Sequence, residues 1–463
     1  MNFLILLVSL SFLILISYKG YSVILFSIIA ALAAILFTDP VLVAPMFSNV
    51  FMVKMADFVK NYFPVFLLGA LFGKMIEMSG FSKAIVVAVI NVLGNQMAML
   101  SIVLVCAILT YGGVSLFVVV FAVYPFAAEL FRAGNIPKRL IPGAIALGAF
   151  TFTMDALPGT PQIQNIIPTT FFNTSTWAAP WLGILGSAFT LILGSLYLFW
   201  QRKRAEKEGL GYGTNLINEP ESYVSQKLIN PWLAALPLVI VVIMNKIFTY
   251  IIPSLYGNIH SMKLAGSSNI ITTDVSKFAA IWAVEGALVL GILTVLAFAY
   301  KPVISRFVEG SKAAVTGSLM ANLNTAAVVG FGAVIAALPG FLVIADALKS
   351  IPDPLINEAV TVTALSGITG SASGGMTIAL TAMANTFIDN ANAAGINLEV
   401  LHRVAAMASG GIDTLPHNGA VITLLAVTGL THKQSYKDIF AITIIKTLAV
   451  FFIIGIYYLF GIV

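Results

Sequence analysis

This sequence is poor in charge. Only 9% of its 463 residues are Asp, Glu, Lys or Arg, against 59% hydrophobic residues, and the mean hydropathy is +0.99. Too few polar side chains remain to cover a globule in water, so lipid has to be the solvent. Cysteine is nearly absent as well. Cys106 stands alone, which excludes a disulfide within the chain and any cysteine cluster for a metal. His-x-x-x-His spacings are missing, and the glycine-rich stretches come without the lysine of a phosphate-binding loop; no cofactor and no metal are expected. The net charge of +5 does not point to nucleic acid. Most cations sit in short connections such as Gln201-Arg202-Lys203-Arg204, where positive charge sets orientation in a membrane. No cation precedes the apolar run Phe3 to Ile16 and no small-residue cleavage site follows it, so the run reads as a retained helix rather than a signal peptide.

What is abundant is apolar sequence in lengths that match a bilayer, where a span needs about 20 residues. Breaking at Gly, Pro and charge gives spans near 3–18, 21–38 and 62–79, a bent region over 84–131, and spans near 138–170 and 178–200. A polar linker at 201–227 follows. Further spans fall near 228–252, 278–300 and 311–337, then a second bent region over 358–388 and spans near 398–430 and 437–462. The segment Met46 to Lys60, with Lys54, Asp57 and Lys60, reads as an interfacial helix. The expectation is an all-α membrane protein of about ten transmembrane helices plus two re-entrant hairpins.

Cation placement tests this parse. Lys19, Lys74, Lys83, Arg132, Lys138, Arg139, the 202–207 cluster, Lys301, Arg306, Lys312, Lys433 and Lys437 all fall on one predicted face, with Lys263, Lys277 and Lys349 as exceptions. The positive-inside rule makes that face cytoplasmic and puts both termini outside, in a cytoplasmic (inner) membrane. Each half then has an odd number of spans. Residues 1–200 and 228–463 become inverted-topology repeats joined by a cytoplasmic linker, an arrangement that gives a transporter two equivalent states.

The repeat also shows in residues. Tyr111-Gly112-Gly113-Val114-Ser115 has a counterpart in Ser373-Gly374-Gly375-Met376-Thr377. Each is followed about 40 residues later by Asp-x-Leu-Pro, in Asp155-Ala156-Leu157-Pro158-Gly159-Thr160 and Asp413-Thr414-Leu415-Pro416-His417-Asn418-Gly419. Breaks of this kind survive in lipid only where they are buried in protein or line a cavity. Two discontinuous helices meeting near the midplane are therefore expected. Thr160 before Pro161, and Asn418 before Gly419, read as caps restarting helices, and Ser115 and Thr377 as caps of the hairpins' second arms. Helix N-termini carry partial positive charge and unpaired amides, so several converging on one point can hold a carboxylate.

No Arg or Lys lies within either break, so an anion would be gripped mainly by dipoles, amides and hydroxyls. The substrate-binding candidates are Gly112, Gly113, Ser115, Thr153, Thr160, Gln162, Ser373, Gly374, Gly375, Thr377, Asn385, Thr414, His417 and Asn418. Asp155 and Asp413, with His417, are the candidates for ion coupling, since an intramembrane carboxylate is by default a proton carrier or cation ligand. The plainer alternative is that each aspartate only caps a broken helix. Glu285 reads as an interhelical hydrogen bond, and His402 and Arg403 as interfacial. An intramembrane aspartyl protease, which needs two facing aspartates, and a channel remain as readings of another class.

The run Met407-Ala-Ser-Gly-Gly-Ile-Asp413-Thr-Leu-Pro-His417-Asn-Gly-Ala-Val-Ile-Thr-Leu-Leu, with Thr431-His-Lys-Gln-Ser-Tyr-Lys-Asp438 behind it, resembles the gluconate permease family, leaning toward its 3-hydroxybutyrate branch. Met154-Asp-Ala-Leu-Pro-Gly-Thr-Pro-Gln-Ile-Gln164 supports the likeness. The resemblance implies proton-coupled symport of a small organic anion, a hydroxy-carboxylate such as 3-hydroxybutyrate or gluconate. It also implies a homodimer with an elevator-like moving domain, the 228–252 and 278–300 spans contributing to the scaffold. A sodium-coupled di- or tricarboxylate transporter is the alternative.

Overall fold

The computed structural model describes the chain apart from residues 1, 20, 95–96, 215, 221–228, 265–269, 342, 344–350 and 417. Its first half begins with α1 (Asn2–Tyr18) and α2 (Val23–Thr38), the latter started by Ser22, whose hydroxyl accepts from the Leu25 amide. α3 (Val43–Met46) then runs through a π turn, Phe47–Phe51, into α4 (Met52–Met78). The expected interfacial helix is therefore the first stretch of one continuous helix. Lys54, Asp57 and Lys60 all lie exposed, while Phe58, Tyr62 and Val65 are buried. Spacing of three places the charges on one side, so the helix has no reason to stop.

α5 (Phe81–Leu93) leads to the first hairpin, α6 (Ala98–Tyr111) and α7 (Leu116–Ala133). The first broken helix follows as α8 (Ile141–Ala149), α9 (Phe152–Asp155) and α10 (Ile163–Phe172), and α11 (Pro180–Lys207) closes the half. The second half runs through α12 (Pro231–Tyr256), α13 (Val275–Ile304) and α14 (Phe307–Ala337) to a second hairpin, α15 (Pro354–Thr369) and α16 (Ala372–Ala393). Its broken helix is α17 (Leu398–Ser409) with α18 (Gly419–Thr428), and α19 (His432–Phe460) is last. One element was not foreseen: between α12 and α13, β1 (Ile259–Lys263) pairs antiparallel with β2 (Ile270–Asp274).

Seven described helices, taking Pro40–Met78 as one, are long and apolar enough to cross a membrane. The chain is an all-α, multi-pass membrane protein whose element order repeats. Hairpin, broken helix and long helix follow one another in each half.

Packing divides the helices into two groups. α4 lies along α14 and α12 along α13, while the hairpins and broken helices pack mainly on one another. Within the second group the halves exchange partners. α10, the helix after the first break, packs on α16 and α17 of the second half, and α18, after the second break, packs on α7 of the first. Between helices in lipid, close van der Waals packing replaces the hydrophobic drive. Gly375 shows the demand: a side chain there would collide with the backbone of Ser366 on the opposite hairpin arm.

Candidate functional site

The first break opens because Thr151 is non-helical (φ −129°, ψ −131°), and Pro158 and Pro161 supply no amides. The freed groups are caught locally. Thr151 and Thr153 hydroxyls donate to the carbonyls of Leu147 (2.6 Å) and Gly148 (2.8 Å), and Thr160 donates to the Thr153 carbonyl at 2.7 Å. Thr160 is thus a tie across the break rather than a cap. The helix restarts later, with Gln162 in the N-cap position of α10. The Gln162 amide instead reaches out, donating to Thr110 at the first hairpin tip (2.8 Å), while Tyr111 donates to the Pro158 carbonyl at 2.9 Å.

At that tip Gly113 has φ +97°, a conformation suited to glycine, and it packs against Pro161, Leu288 and Phe72. A side chain on Gly112 would meet Leu238 of α12. Ser115 occupies the N-cap position of α7 without a side-chain cap bond.

The second break is started by Asn418. Its side-chain oxygen accepts from Ala420 (2.6 Å) and Val421 (3.2 Å), capping α18 as expected, and its NH2 donates to the carbonyls of Gly370 and Asp413, both at 2.9 Å. One side chain therefore joins the cap, the break and the second hairpin tip. That tip is Gly370-Ser371, not Ser373-Gly374-Gly375. Ser371 caps α16 by accepting from the Gly374 amide, and Thr377 donates to the Ser373 carbonyl inside the helix. The glycine pair sits in the first turn because the two arms approach closely there, so the motif match between hairpins is offset by a few residues. Asn385 lies on the far stretch of α16 and is exposed, so the structure does not bring it to the breaks. His417 lies outside the described residues.

Two cations not expected at the breaks, Lys446, which the sequence reading missed, and Arg403, which it placed at the interface, meet there. Lys446, in the middle of α19, is 5% exposed and pairs with Asp413 at 2.6 Å. It also donates to the Phe150 carbonyl of the first break at 3.1 Å. Asp155 is 5% exposed and within electrostatic reach of Lys446, Asp413 and Arg403. Its carboxylate lies against Gly410, where a side chain would collide with it.

Arg403 is fully buried rather than interfacial. It reaches from α17 into the first half, donating to the carbonyls of Ala178 (2.7 and 3.2 Å) and Asp155 (3.0 Å) and to the Asn165 side chain (3.0 Å). His402, equally buried, bonds Thr174 at 2.6 Å and Asn165 at 3.2 Å. Both side chains lie in a helix whose residues from Val400 to Ser409 are all buried. Glu285, by contrast, is half-buried and makes no hydrogen bond among the described residues. Around the second break, Thr414 shares a hydrogen bond with Thr443 (2.6 Å), and Tyr436 donates to the Thr414 carbonyl (3.1 Å).

The breaks thus bring two carboxylates, an ammonium and a guanidinium together in a protein interior. Such groups are costly in lipid and mark sites of ion or substrate passage.

No family model matches the chain. Its sequence is 55% identical to Uncharacterized transporter YxjC of Bacillus subtilis (strain 168), with 100% of both chains covered. Its fold is similar to the crystal structure of the Alcanivorax borkumensis YdaH transporter, at a TM-score of 0.50 and 14% identity, covering 90% of this chain and 89% of that one. Full-length identity at that level makes this chain a transport protein and a member of the same transporter family as YxjC.

Proposed function

We propose that the protein is a symporter for a small organic anion, a hydroxy-carboxylate such as 3-hydroxybutyrate or gluconate, driven by protons. The observation that carries the reading is the Lys446–Asp413 ion pair at 2.6 Å, placed where the two breaks meet. A substrate carboxylate arriving at Lys446 competes with Asp413 for the ammonium. Once Asp413 loses its partner, a buried carboxylate is strongly destabilised unless it takes a proton. Anion and proton would then enter together, and their charges cancel. Asp155 and His417 are the other coupling candidates. Gln162, Thr153, Thr160, Thr414 and Asn418 line the breaks, and Gly112, Gly113, Ser115, Ser373, Gly374, Gly375 and Thr377 shape the hairpins that close on them.

Alternating access follows an elevator-like scheme in this reading. The hairpins and broken helices move as a body against α4, α12, α13 and α14, in a homodimer within the cytoplasmic membrane, the linker inside and both termini outside. Residues 1–200 and 228–463 form the inverted units. The test is uptake of labelled 3-hydroxybutyrate and gluconate into proteoliposomes, with pH and sodium gradients imposed separately. Accumulation driven by the pH gradient is the expected result. Accumulation driven only by sodium would replace the proton, and no uptake of either acid would move the substrate to another carboxylate.

A further inference from the structure

The buried charges around the breaks balance. Asp155 and Asp413 are offset by Lys446 and Arg403, so the four can all stay ionised without a net buried charge. Outside that set stands Glu358, on the first arm of the second hairpin. It is 0% exposed, and neither carboxyl oxygen has a hydrogen-bond partner among the described residues. An isolated carboxylate in such a place is far more costly than a protonated carboxyl.

The neighbouring helices do not answer it. α15 packs on α16, α17, α19 and α1. On α17, Arg403 and His402 are engaged at the first break, and Glu399 accepts from the Ala179 amide. On α19, Lys446 is held by Asp413, Asp438 pairs with Arg139, and Tyr458 faces Asp353. Asp389 on α16 is exposed, and α1 carries no charged side chain. On α15 itself, Asn357 accepts from Thr361. Among the described residues no charged group acts on Glu358; burial alone does.

We propose that Glu358 is a proton-binding site that locks the second hairpin: the arm packs shut only with a proton on this carboxyl, and opening the arm to water releases it. The first arm is placed for this. Glu358 lies about one turn in from the exposed Pro352, and Thr363 farther along the arm donates to the Ala408 carbonyl just before the second break. Ionising Glu358 would therefore loosen the arm that closes over the break. The inference rests on the transporter reading above but concerns a different residue from Asp413.

The test is substrate exchange at equal pH on both sides of the membrane, so that no gradient drives it, compared for wild type and Glu358→Gln. Wild-type exchange is expected to fall on its alkaline side more steeply than that of the variant, by up to about tenfold more per pH unit, the variant keeping only the dependence that the proposed coupling carboxylate gives it. A flat wild-type profile, or a variant that follows the wild-type fall, overturns the proposal. Glu358→Leu, which carries no polar group, provides the same comparison if the Gln variant folds poorly. An infrared difference spectrum of purified protein decides independently of transport. The C=O band of a protonated carboxyl should be present in wild type and missing in Glu358→Gln, and an unchanged band overturns the proposal. If wild type exchanges no acid, the function proposed above fails while the infrared result still decides on Glu358.

Discussion

The two breaks carry the same Asp-x-Leu-Pro motif and are held in different ways. In the first, Arg403 and Asn165 grip backbone carbonyls: Ala178, Asp155, Thr160 and Thr176 all accept from them. The Asp155 carboxylate itself pairs with neither. In the second, the carboxylate is the thing held, by Lys446. Backbone bonds to a buried planar guanidinium fix geometry. An ion pair, by comparison, responds to any third charge that enters. The comparison teaches that a duplicated motif need not be held in a duplicated way: the first break is tied through its backbone, and under the proposed function the second is the part that would respond first to substrate and proton.

The largest effect should come from Lys446→Gln. It leaves Asp413 buried beside no cation, and breaking a buried pair this way costs about 3–5 kcal/mol. A large drop in melting temperature in detergent and loss of anion uptake are expected. Pairing it with Asp413→Asn sharpens the point, because two residues in one pair couple by about 0.5–3 kcal/mol. The double variant should be more stable than the sum of the singles predicts. Additive losses would remove the ion pair from the account. Asp413→Asn alone breaks the same pair from the other side, so a comparable fall in melting temperature is expected together with loss of coupled accumulation, and wild-type accumulation by that variant would end its coupling role.

Arg403→Lys should cost less, about 1–3 kcal/mol for the one buried acceptor that an ammonium holding the other two leaves unpaired. An ammonium cannot span Ala178, Asp155 and Asn165 as the fork does. Thermal melting should fall while the pH dependence of uptake stays as in wild type, since this residue holds a wall. A shifted pH profile would mean that the first break titrates too, and the asymmetry would be lost.

Much of this was legible in sequence. Span edges followed Gly, Pro and charge, and both breaks were marked by Asp-x-Leu-Pro, because local backbone chemistry decides where a helix fails. Asn418 was found as a cap for the same reason. Lys446 was not found, as it lies in an apolar run and reaches the breaks only through packing of α19 against both halves. Arg403 was misplaced because its partners are carbonyls more than 200 residues away, which no local pattern displays. Ser373 to Thr377 was read as a tip when it is an arm, since a glycine pair serves a turn and a close helix contact equally well. The relation of Glu358 to its surroundings is likewise a tertiary fact.

Asn418→Ala should be milder, about 1 kcal/mol for the lost cap, with a further loss from the freed Gly370 and Asp413 carbonyls. Melting temperature and uptake should both fall modestly, and an unchanged melting curve would show the cap to be dispensable.

The smallest effect is expected at the linker, which ties the second break's helix to the end of the first hairpin. Asn218 donates to the Ala426 carbonyl, and its own carbonyl accepts from Tyr124 at 2.6 Å, so Asn218 straps the end of α18 to α7. Glu219 anchors the strap through Arg132 and through Lys138 at 2.7 Å. Burial alone would raise its carboxyl, but hydrogen bonds from Lys138, Arg132 and Tyr212 together hold it below the usual range. A depressed carboxylate contributes stability that is present above its unfolded value, about 4.3, and is lost as pH falls through the folded one. The site is partly exposed, so the contribution is at most about 1 kcal/mol. Hydrogen exchange of linker peptides, corrected for the intrinsic rate, should therefore be slow at neutral pH, quicken as pH falls below the usual carboxylate range, and already be fast at neutral pH in Glu219→Gln. If that variant exchanges like wild type, the strap is held by Asn218 and Tyr124 alone, and the second break's exit helix is tethered without any charge.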